Sequence, residues 1–209
     1  MSMTVLVLSP HTDDSELGAG GTVSRLTREG HDVHYVAFSS CDESYPDSYR
    51  GVLEAEFEAV MELVEPTTHA VLDYTVRRFN ERRQDVLEDL VRIRNDLQPD
   101  LVIGPSLEDF HQDHVVVANE MVRAFKTGSS IVTYELPWNH VNFETQLFYS
   151  LTDADVERKI EQLSMYESQI EDRSRPYFRE EFVRGLAAVR GVQCDSRYAE
   201  AFSVIRWSK

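Results

Sequence analysis

The chain has 209 residues, of which 42% are hydrophobic, and 37 acidic residues outnumber 21 basic residues to give a formal net charge of -16. This length and apolar content suit one globular domain, placed at residues 1–209, and exclude a chain that is disordered throughout. The acidic charge opposes binding to phosphate backbones, so we expect no nucleic-acid partner. Two cysteines are too few for a disulfide framework. No run approaches the ~20 apolar residues of a membrane-spanning helix, so we expect a cytoplasmic protein without a transmembrane segment.

The basic residues are mostly arginine, because lysine occurs only at positions 126, 159 and 209. An acidic surface with so little lysine is typical of a protein kept soluble in high salt by hydrated carboxylates. A GC-rich genome also depletes lysine. A halophilic source is therefore one of two open explanations.

Strands and helices alternate along the first two-thirds of the chain. Strands are predicted at residues 5–8, 33–39, 70–72, 101–103 and 131–136, and helices at 22–26, 53–64, 84–97 and 114–125. From about residue 139 the order changes to a strand at 147–150, helices at 153–170 and 177–189, and a strand at 201–206. The alternation predicts an α/β fold with a Rossmann-like, mostly parallel sheet and helices on both faces.

Two polar segments follow predicted buried strands. Residues 9–16 read SPHTDDSE and residues 108–114 read EDFHQDH. Ligands of α/β proteins bind beyond the carboxyl ends of parallel strands, so the two segments meet if their strands are neighbours. Histidine and carboxylate without cysteine suit Zn²⁺ or another divalent transition metal. The pattern therefore predicts a metal site at this edge of the sheet.

Structural explanations for the same residues stay open. Asp14 or Ser15 could cap the helix that follows, since aspartate and serine are favoured at helix N-termini. His111 and His114 could be solvated residues at the start of another helix. The glycines of residues 18–21 fit neither dinucleotide nor P-loop motifs, and we expect them to let a helix approach the sheet, with backbone N–H groups toward the substrate.

Residues 9–22, SPHTDDSELGAGGT, resemble the first metal motif of the PIG-L/LmbE-like zinc N-deacetylases, and residues 109–114 resemble the second. Residues 166–169 and 198–202 are also similar to bacterial and archaeal members, so the resemblance covers nearly the whole chain. It implies the LmbE-like fold and hydrolysis of an N-acetyl group from an N-acetylglucosamine-type sugar conjugate.

The resemblance also implies a role for each motif residue. His11, Asp14 and His114 are implied to bind Zn²⁺, and Asp13 to act as the general base that deprotonates zinc-bound water. Hydrolysis of a peptide-like amide needs a polarised carbonyl, a hydroxide and a proton for the departing amine. The metal ion, Asp13 and one further histidine would supply one each.

That histidine is His111, implied to stabilise the oxyanion or to protonate the leaving amine, with Asp113 orienting its ring. Two positions depart from the family pattern: Thr12 replaces the usual proline and Ser15 stands where many members have glutamate. Neither change removes an implied ligand, so the implied activity stands.

The partner implied by the resemblance is a small N-acetylated sugar conjugate, and members often form trimers or hexamers, which implies a homo-oligomer. Two alternative functions stay open: a divalent-metal phosphohydrolase, and a non-catalytic protein that binds metal or sugar. Further pocket candidates are Arg77, Arg78, Arg82, Glu135, Trp138 and Asn139. An arginine among them could bind a phosphate or carboxylate of the aglycone, and the tryptophan could stack on a sugar.

Overall fold

The computed structural model describes residues 2–208, except the side chain of Asp172. The strands are β1 Thr4–His11, β2 Asp32–Ser39, β3 Thr68–Val71, β4 Leu101–Gly104, β5 Ser130–Tyr134, β6 Leu147–Leu151 and β7 Tyr198–Arg206. The helices are α1 Asp14–Arg28, α2 Val52–Val64, α3 Arg83–Leu97, α4 Gln112–Ala124, α5 Asp153–Ser164 and α6 Glu180–Val192.

All seven strands form one sheet in the order β3-β2-β1-β4-β5-β7-β6. Strands β1 to β5 are parallel, while β7 pairs antiparallel with both β5 and β6. Strand β1 lies beside β4, so the two polar segments of the sequence leave the same edge of the sheet. The prediction of a mostly parallel α/β fold is confirmed.

Strand β1 shows why the sheet is covered on both faces. Its side chains alternate between the two faces of the sheet. Val5 and Val7 pack in a core with residues of α1 and α2, whereas Leu6 and Leu8 pack in a second core with residues of α3 and α4. The unbroken apolar run of β1 therefore reflects burial on both faces.

Helix α1 begins earlier than the sequence indicates, at Asp14 rather than at residue 22. The residue before the helix is Asp13, whose side chain makes no capping hydrogen bond. Asp14 and Ser15 lie inside the helix, so the explanation that either is the N-cap is wrong. The polar stretch between strand and helix shrinks to Thr12 and Asp13, which fixes His11 and Asp14 on regular elements.

Glycine suits two positions inside α1 because neighbouring side chains occupy the space that a Cβ atom would fill. A Cβ at Gly18 would meet the Tyr134 ring of β5, and one at Gly21 would lie 2.8 Å from a methyl of Leu151 on β6. The expected close approach of helix to sheet is confirmed. The N–H of Gly21 donates to buried Glu200 at 3.1 Å, so this group does not face a substrate as expected.

The C-terminal elements also differ in their bounds. Helix α5 ends at Ser164 rather than at residue 170, and α6 begins at Glu180 rather than at 177. The chain between them holds a π-turn, Ser168–Asp172, and a short 3-10 turn that starts at Pro176, where the missing N–H suits a first helical position. Among the described residues, no helix is long and apolar enough to cross a membrane. The assignment of residues 1–209 to one domain stays a prediction.

Candidate functional site

The two motifs meet at the carboxyl edge of the sheet. His11 is the last residue of β1, Asp14 is the first residue of α1, and His114 lies in the first turn of α4, which follows β4. All three side chains are buried. Each donor is therefore held by a regular element rather than by a free loop.

Three donor atoms of this group lie close together. The Oδ2 atom of Asp14 is 3.1 Å from Nδ1 of His11 and 3.1 Å from Nε2 of His114, and the two imidazole nitrogens are 3.3 Å apart. Ligands about 2.0–2.1 Å from a tetrahedral zinc ion are roughly 3.3 Å from one another. The three atoms thus have the spacing of one face of a tetrahedral metal site, which leaves a fourth position for another ligand.

The ligand-bearing atoms of His11, His111 and His114 also form a group, within a wider limit of 4.8 Å. Both groups share His11 and His114. The closer spacing favours Asp14 as the third ligand and leaves His111 beside the site.

A buried carboxylate contacts the nitrogen of His11 and of His114 that lies outside the donor triangle. Asp113 Oδ2 lies 3.1 Å from Nε2 of His11, and Asp109 Oδ2 lies 2.8 Å from Nδ1 of His114. Such partners set the orientation and tautomer of metal-binding imidazoles and raise their basicity. The arrangement therefore directs Nδ1 of His11 and Nε2 of His114 toward the same point.

The charges around this point favour a cation. Burial alone lowers the pKa of His11 and of His114, but Asp14 together with Asp113 or Asp109 raises these pKa values to about 9 and about 10. Burial raises the pKa of Asp14, yet the two imidazoles hold it well below its usual range. The carboxylates attract positive charge to the donor triangle, which is the electrostatic condition for binding a divalent ion.

Asp13 stands beside the triangle and lines the same cleft as Asp14. No side chain that the structure describes forms a hydrogen bond with the Asp13 carboxylate. Burial and then the neighbouring charge of Asp14 raise the pKa of Asp13 to about 7, while His11 and His114 act in the opposite direction. A carboxylate with this pKa is suited to exchange protons near neutral pH.

His111 precedes α4 as its N-cap residue and is about one-third exposed at the cleft. Its Nδ1 accepts the backbone N–H of Asp113 at 3.3 Å. The Asp113 carboxylate is 4.0 Å from that nitrogen and contacts His11 instead, so the backbone rather than the side chain of Asp113 orients His111. Burial and the two neighbouring imidazoles lower the pKa of His111 to about 4, which keeps it neutral with Nε2 as the donor.

The donor triangle opens into a cleft of about 230 Å³. Of the further pocket candidates, Arg77, Trp138 and Asn139 line it. Arg78 and Arg82 instead pair with acidic residues of their own segment. Glu135 also lies elsewhere, because it forms a buried ion pair with an arginine of α6.

Several cleft residues were missed from the sequence. Asp109 supports His114, and its position two residues before His111 in the second motif was the available signal. Arg173, Arg175 and Tyr177 also line the cleft, from the segment between α5 and α6. Residues 171–176 lie between the two helices predicted at 153–170 and 177–189, and no motif in the sequence identifies their side chains as part of the site.

Comparison with known proteins agrees with this geometry. A family model described as PIG-L, GlcNAc-PI de-N-acetylase, matches residues 6–125, more than half of the chain. The chain is 26% identical over 171 residues to the uncharacterized deacetylase YaiS of Escherichia coli strain K12. The aligned region covers 78% of this chain and 90% of that protein. Both metal motifs lie within the residues matched by the family model.

Solved structures share the fold. The N,N'-diacetylchitobiose deacetylase of Pyrococcus horikoshii superimposes with a TM-score of 0.75 and 21% identity over 98% of this chain and 84% of its own. GalB, a 4-carboxy-2-hydroxymuconate hydratase of Pseudomonas putida KT2440, gives a TM-score of 0.77 and 19% identity over 100% of this chain and 99% of its own. Fold alone therefore does not decide the reaction. The family match does identify the relatives: the chain belongs to the PIG-L family of deacetylases.

Proposed function

We propose that this protein is a zinc-dependent N-deacetylase that removes the acetyl group from an N-acetylglucosamine-type sugar conjugate. The observation that carries the proposal is the donor triangle of His11, Asp14 and His114, whose atoms are 3.1–3.3 Å apart, with Asp13 unengaged beside it. Family membership favours this reaction over the others that the fold supports.

The donor set fits zinc better than a harder cation. Two imidazole nitrogens and one carboxylate oxygen match the ligands of catalytic zinc sites, whereas Mg²⁺ prefers oxygen ligands and octahedral geometry. His11, Asp14 and His114 would hold the ion. When bound, the ion supplies a Lewis acid that polarises an acyl oxygen and makes water acidic near neutral pH.

The remaining residues of the site move protons and stabilise charge. Asp13 accepts a proton from the attacking water, because its carboxylate has no side-chain partner among the described residues and its pKa is raised to about 7. His111 donates its Nε2–H to the oxygen on which negative charge develops. The low pKa of His111 supports this hydrogen-bonding role over the transfer of a proton to the amine, which leaves Asp13 to return the proton.

The variant Asp13→Asn tests this assignment. Asparagine keeps the size of the side chain but cannot accept the proton, so we expect acetate release to fall about 10²–10⁴-fold. Zinc content, measured by elemental analysis, should stay near one ion per chain because Asp13 is not a ligand. Asp96→Asn, at an exposed position of α3, is the matched control and should retain full activity.

Running acetate-release and phosphate-release assays side by side separates the three candidate functions. Acetate release alone supports the deacetylase. Phosphate release without acetate would establish the phosphohydrolase, and tight zinc binding without either product would establish the non-catalytic binder. An unchanged kcat in Asp13→Asn would remove Asp13 as the base. The cytoplasmic location and the homo-oligomer stay predictions.

A further inference from the structure

Three arginines, Arg77, Arg173 and Arg175, line the cleft at exposed positions; together they are called the arginine rim. They come from two segments that are nearly a hundred residues apart in the chain. The buried donor triangle lies in the same cleft. Three positive side chains therefore line the cleft that holds the donor triangle, in a chain with a net charge of -16.

The arginine rim differs in its pairing from most of the other arginines. Among the side chains that the structure describes, eleven of the eighteen arginines form ion pairs with a carboxylate within 4.0 Å, as expected in so acidic a chain. No such pair is found for Arg77, Arg173 or Arg175 among the side chains that the structure describes. The charges of the rim are thus available to a ligand.

The backbone at and next to the rim arginines adopts an uncommon, left-handed conformation at two positions. Arg77 has a φ of 67° and Ser174, between the other two rim arginines, has a φ of 49°. Left-handed conformations are uncommon for residues other than glycine and persist where the surroundings hold them. Two hydrogen bonds hold the backbone of Arg77 in this conformation. Its N–H donates to Asp113 Oδ2 at 2.6 Å, and its carbonyl accepts from the Gln112 side chain at 2.8 Å. Helix α4, which carries His114, therefore also fixes the backbone of Arg77.

The two arginines of the other segment are held by aromatic rings rather than by carboxylates. The Arg173 guanidinium lies 4.4 Å from the Tyr45 ring centre and donates to the Ser44 carbonyl at 3.1 Å. The Arg175 guanidinium lies 5.9 Å from the ring centre of Tyr177. Stacking orients a guanidinium without neutralising it and leaves most of its five N–H donors unused.

From this arrangement we infer that the arginine rim binds an anionic substituent, a phosphate or a carboxylate, on the sugar conjugate whose N-acetyl group lies at the donor triangle. Arginine is suited to both anions because its planar donors match their oxygens in pairs. The inference rests on the proposed deacetylase function and narrows its substrate class. It also explains how an acidic protein could attract an acidic substrate.

The test compares three substrates on the zinc-loaded full-length protein. N-acetylglucosamine 1-phosphate carries a phosphate, N-acetylmuramic acid carries a carboxylate, and methyl N-acetylglucosaminide is neutral. We expect kcat/KM for acetate release from at least one anionic substrate to exceed that of the neutral substrate about tenfold or more, mainly through KM. The preference should shrink at 0.5 M KCl, because salt screens exposed charges.

Arg77→Gln and Arg175→Gln should each lower the ratio of anionic to neutral kcat/KM about tenfold. Arg179→Gln is the matched control, since it removes the same charge from an exposed arginine outside the cleft and should leave the ratio unchanged. Calorimetric binding of the same three compounds to Asp13→Asn gives a readout without turnover. There, each rim substitution added to Asp13→Asn should weaken binding of the preferred anion by the same factor.

The outcomes separate the two proposals. A preference for only the phosphate or only the carboxylate supports the inference and identifies the anion. Equal kcat/KM for all three substrates, or an anion preference that survives Arg77→Gln and Arg175→Gln, overturns the arginine rim while leaving the deacetylase intact. Acetate release from none of the substrates counts against the proposed function, and the binding measurement still decides the arginine rim.

Discussion

Two charged clusters contact helix α1, and they differ in how completely their charges are satisfied. At the start of the helix, Asp13 and Asp14 line a cleft together with three imidazoles, and the Asp13 carboxylate has no side-chain partner among the described residues. Against the middle of the helix, Lys159 of α5 and Glu200 of β7 form a closed ion pair at 2.7 Å. One helix therefore contacts both an open and a closed cluster.

The closed cluster is fully connected to the helix backbone. Lys159 donates to the carbonyl of Leu17 at 2.7 Å, and Glu200 accepts the N–H groups of Gly21 and Thr22 at 3.1 and 2.7 Å. Buried charges that are satisfied in this way hold elements in place. In the open cluster, burial and the neighbouring charge of Asp14 raise the pKa of Asp13 to about 7, and a shifted pKa of this kind is typical of groups that perform chemistry.

The largest effect is expected where the open cluster loses a ligand, in His114→Ala. Losing a hydrogen-bond partner of a ligand costs 10–100-fold in metal affinity, so losing the ligand itself should cost more than about 100-fold. Zinc content and acetate release should fall together. His69→Ala changes a histidine that pairs with Glu58 far from the cleft, so it should keep both. Full zinc occupancy in His114→Ala would show that the donor triangle is not the metal site.

Disrupting the Lys159–Glu200 ion pair of the closed cluster should instead reduce the stability of the fold. Lys159→Met leaves Glu200 buried without its cation, which should lower the free energy of unfolding by about 3–5 kcal/mol. Urea unfolding measures the change. The double variant Lys159→Met/Glu200→Gln should recover part of the loss, because glutamine is neutral and still accepts from the Gly21 N–H. Lys126→Met, at an exposed position, is the control and should change stability by less than about 0.5 kcal/mol. If Lys159→Met lost zinc but kept its free energy of unfolding, the contrast between the two clusters would be wrong.

A smaller effect is expected at the C-terminal end of the same helix, where the half-exposed Arg28 binds Asp155 at 2.6 Å. Burial raises the pKa of Asp155, but hydrogen bonds from Arg28 and Thr152 outweigh it and lower that pKa. The charged form therefore stabilises the fold above the unfolded pKa of about 3.9, and this stability is lost as the pH falls through the lower folded value.

Asp155→Asn should lower the free energy of unfolding by about 1 kcal/mol at pH 7, since it also weakens the capping box with Thr152. The difference from the unchanged protein should begin to shrink as the pH falls below about 4 and should disappear below the lowered folded pKa of Asp155. Asp153→Asn, in the same turn but exposed, should have a smaller effect. A difference that stays constant with pH would mean that the charge of Asp155 contributes nothing.

Much of the fold and of the motif geometry could be predicted from the sequence. The apolar run of β1 predicts a strand buried on both faces, and the same reasoning at residues 101–103 places both motifs at one edge of the sheet. The neighbouring position of β1 and β4 then brings His11 and His114 together. Local patterns were sufficient here because regular elements carry these residues.

The rest depended on tertiary contacts that a sequence pattern does not contain. Gly18 and Gly21 indicate a break in the helix, yet Tyr134 and Leu151 fill their space and let α1 continue. Arg173 and Arg175 reach the cleft only because α5 ends at Ser164 and the chain turns back across the site. The pairing of the Asp113 carboxylate with His11 instead of His111 likewise follows from the way α4 faces β1.

The glycine face of α1 has a consequence for how such an enzyme can change over evolutionary time. Because Tyr134 and Leu151 occupy the space of the missing Cβ atoms at Gly18 and Gly21, even alanine at these positions requires the helix or the neighbouring side chain to shift, and Gly18 lies one turn from Asp14. Positions 173 and 175 are exposed and bear no such constraint. We therefore expect substitutions at positions 173 and 175 to change substrate preference without moving the donor triangle, and a library restricted to exposed cleft residues would test this.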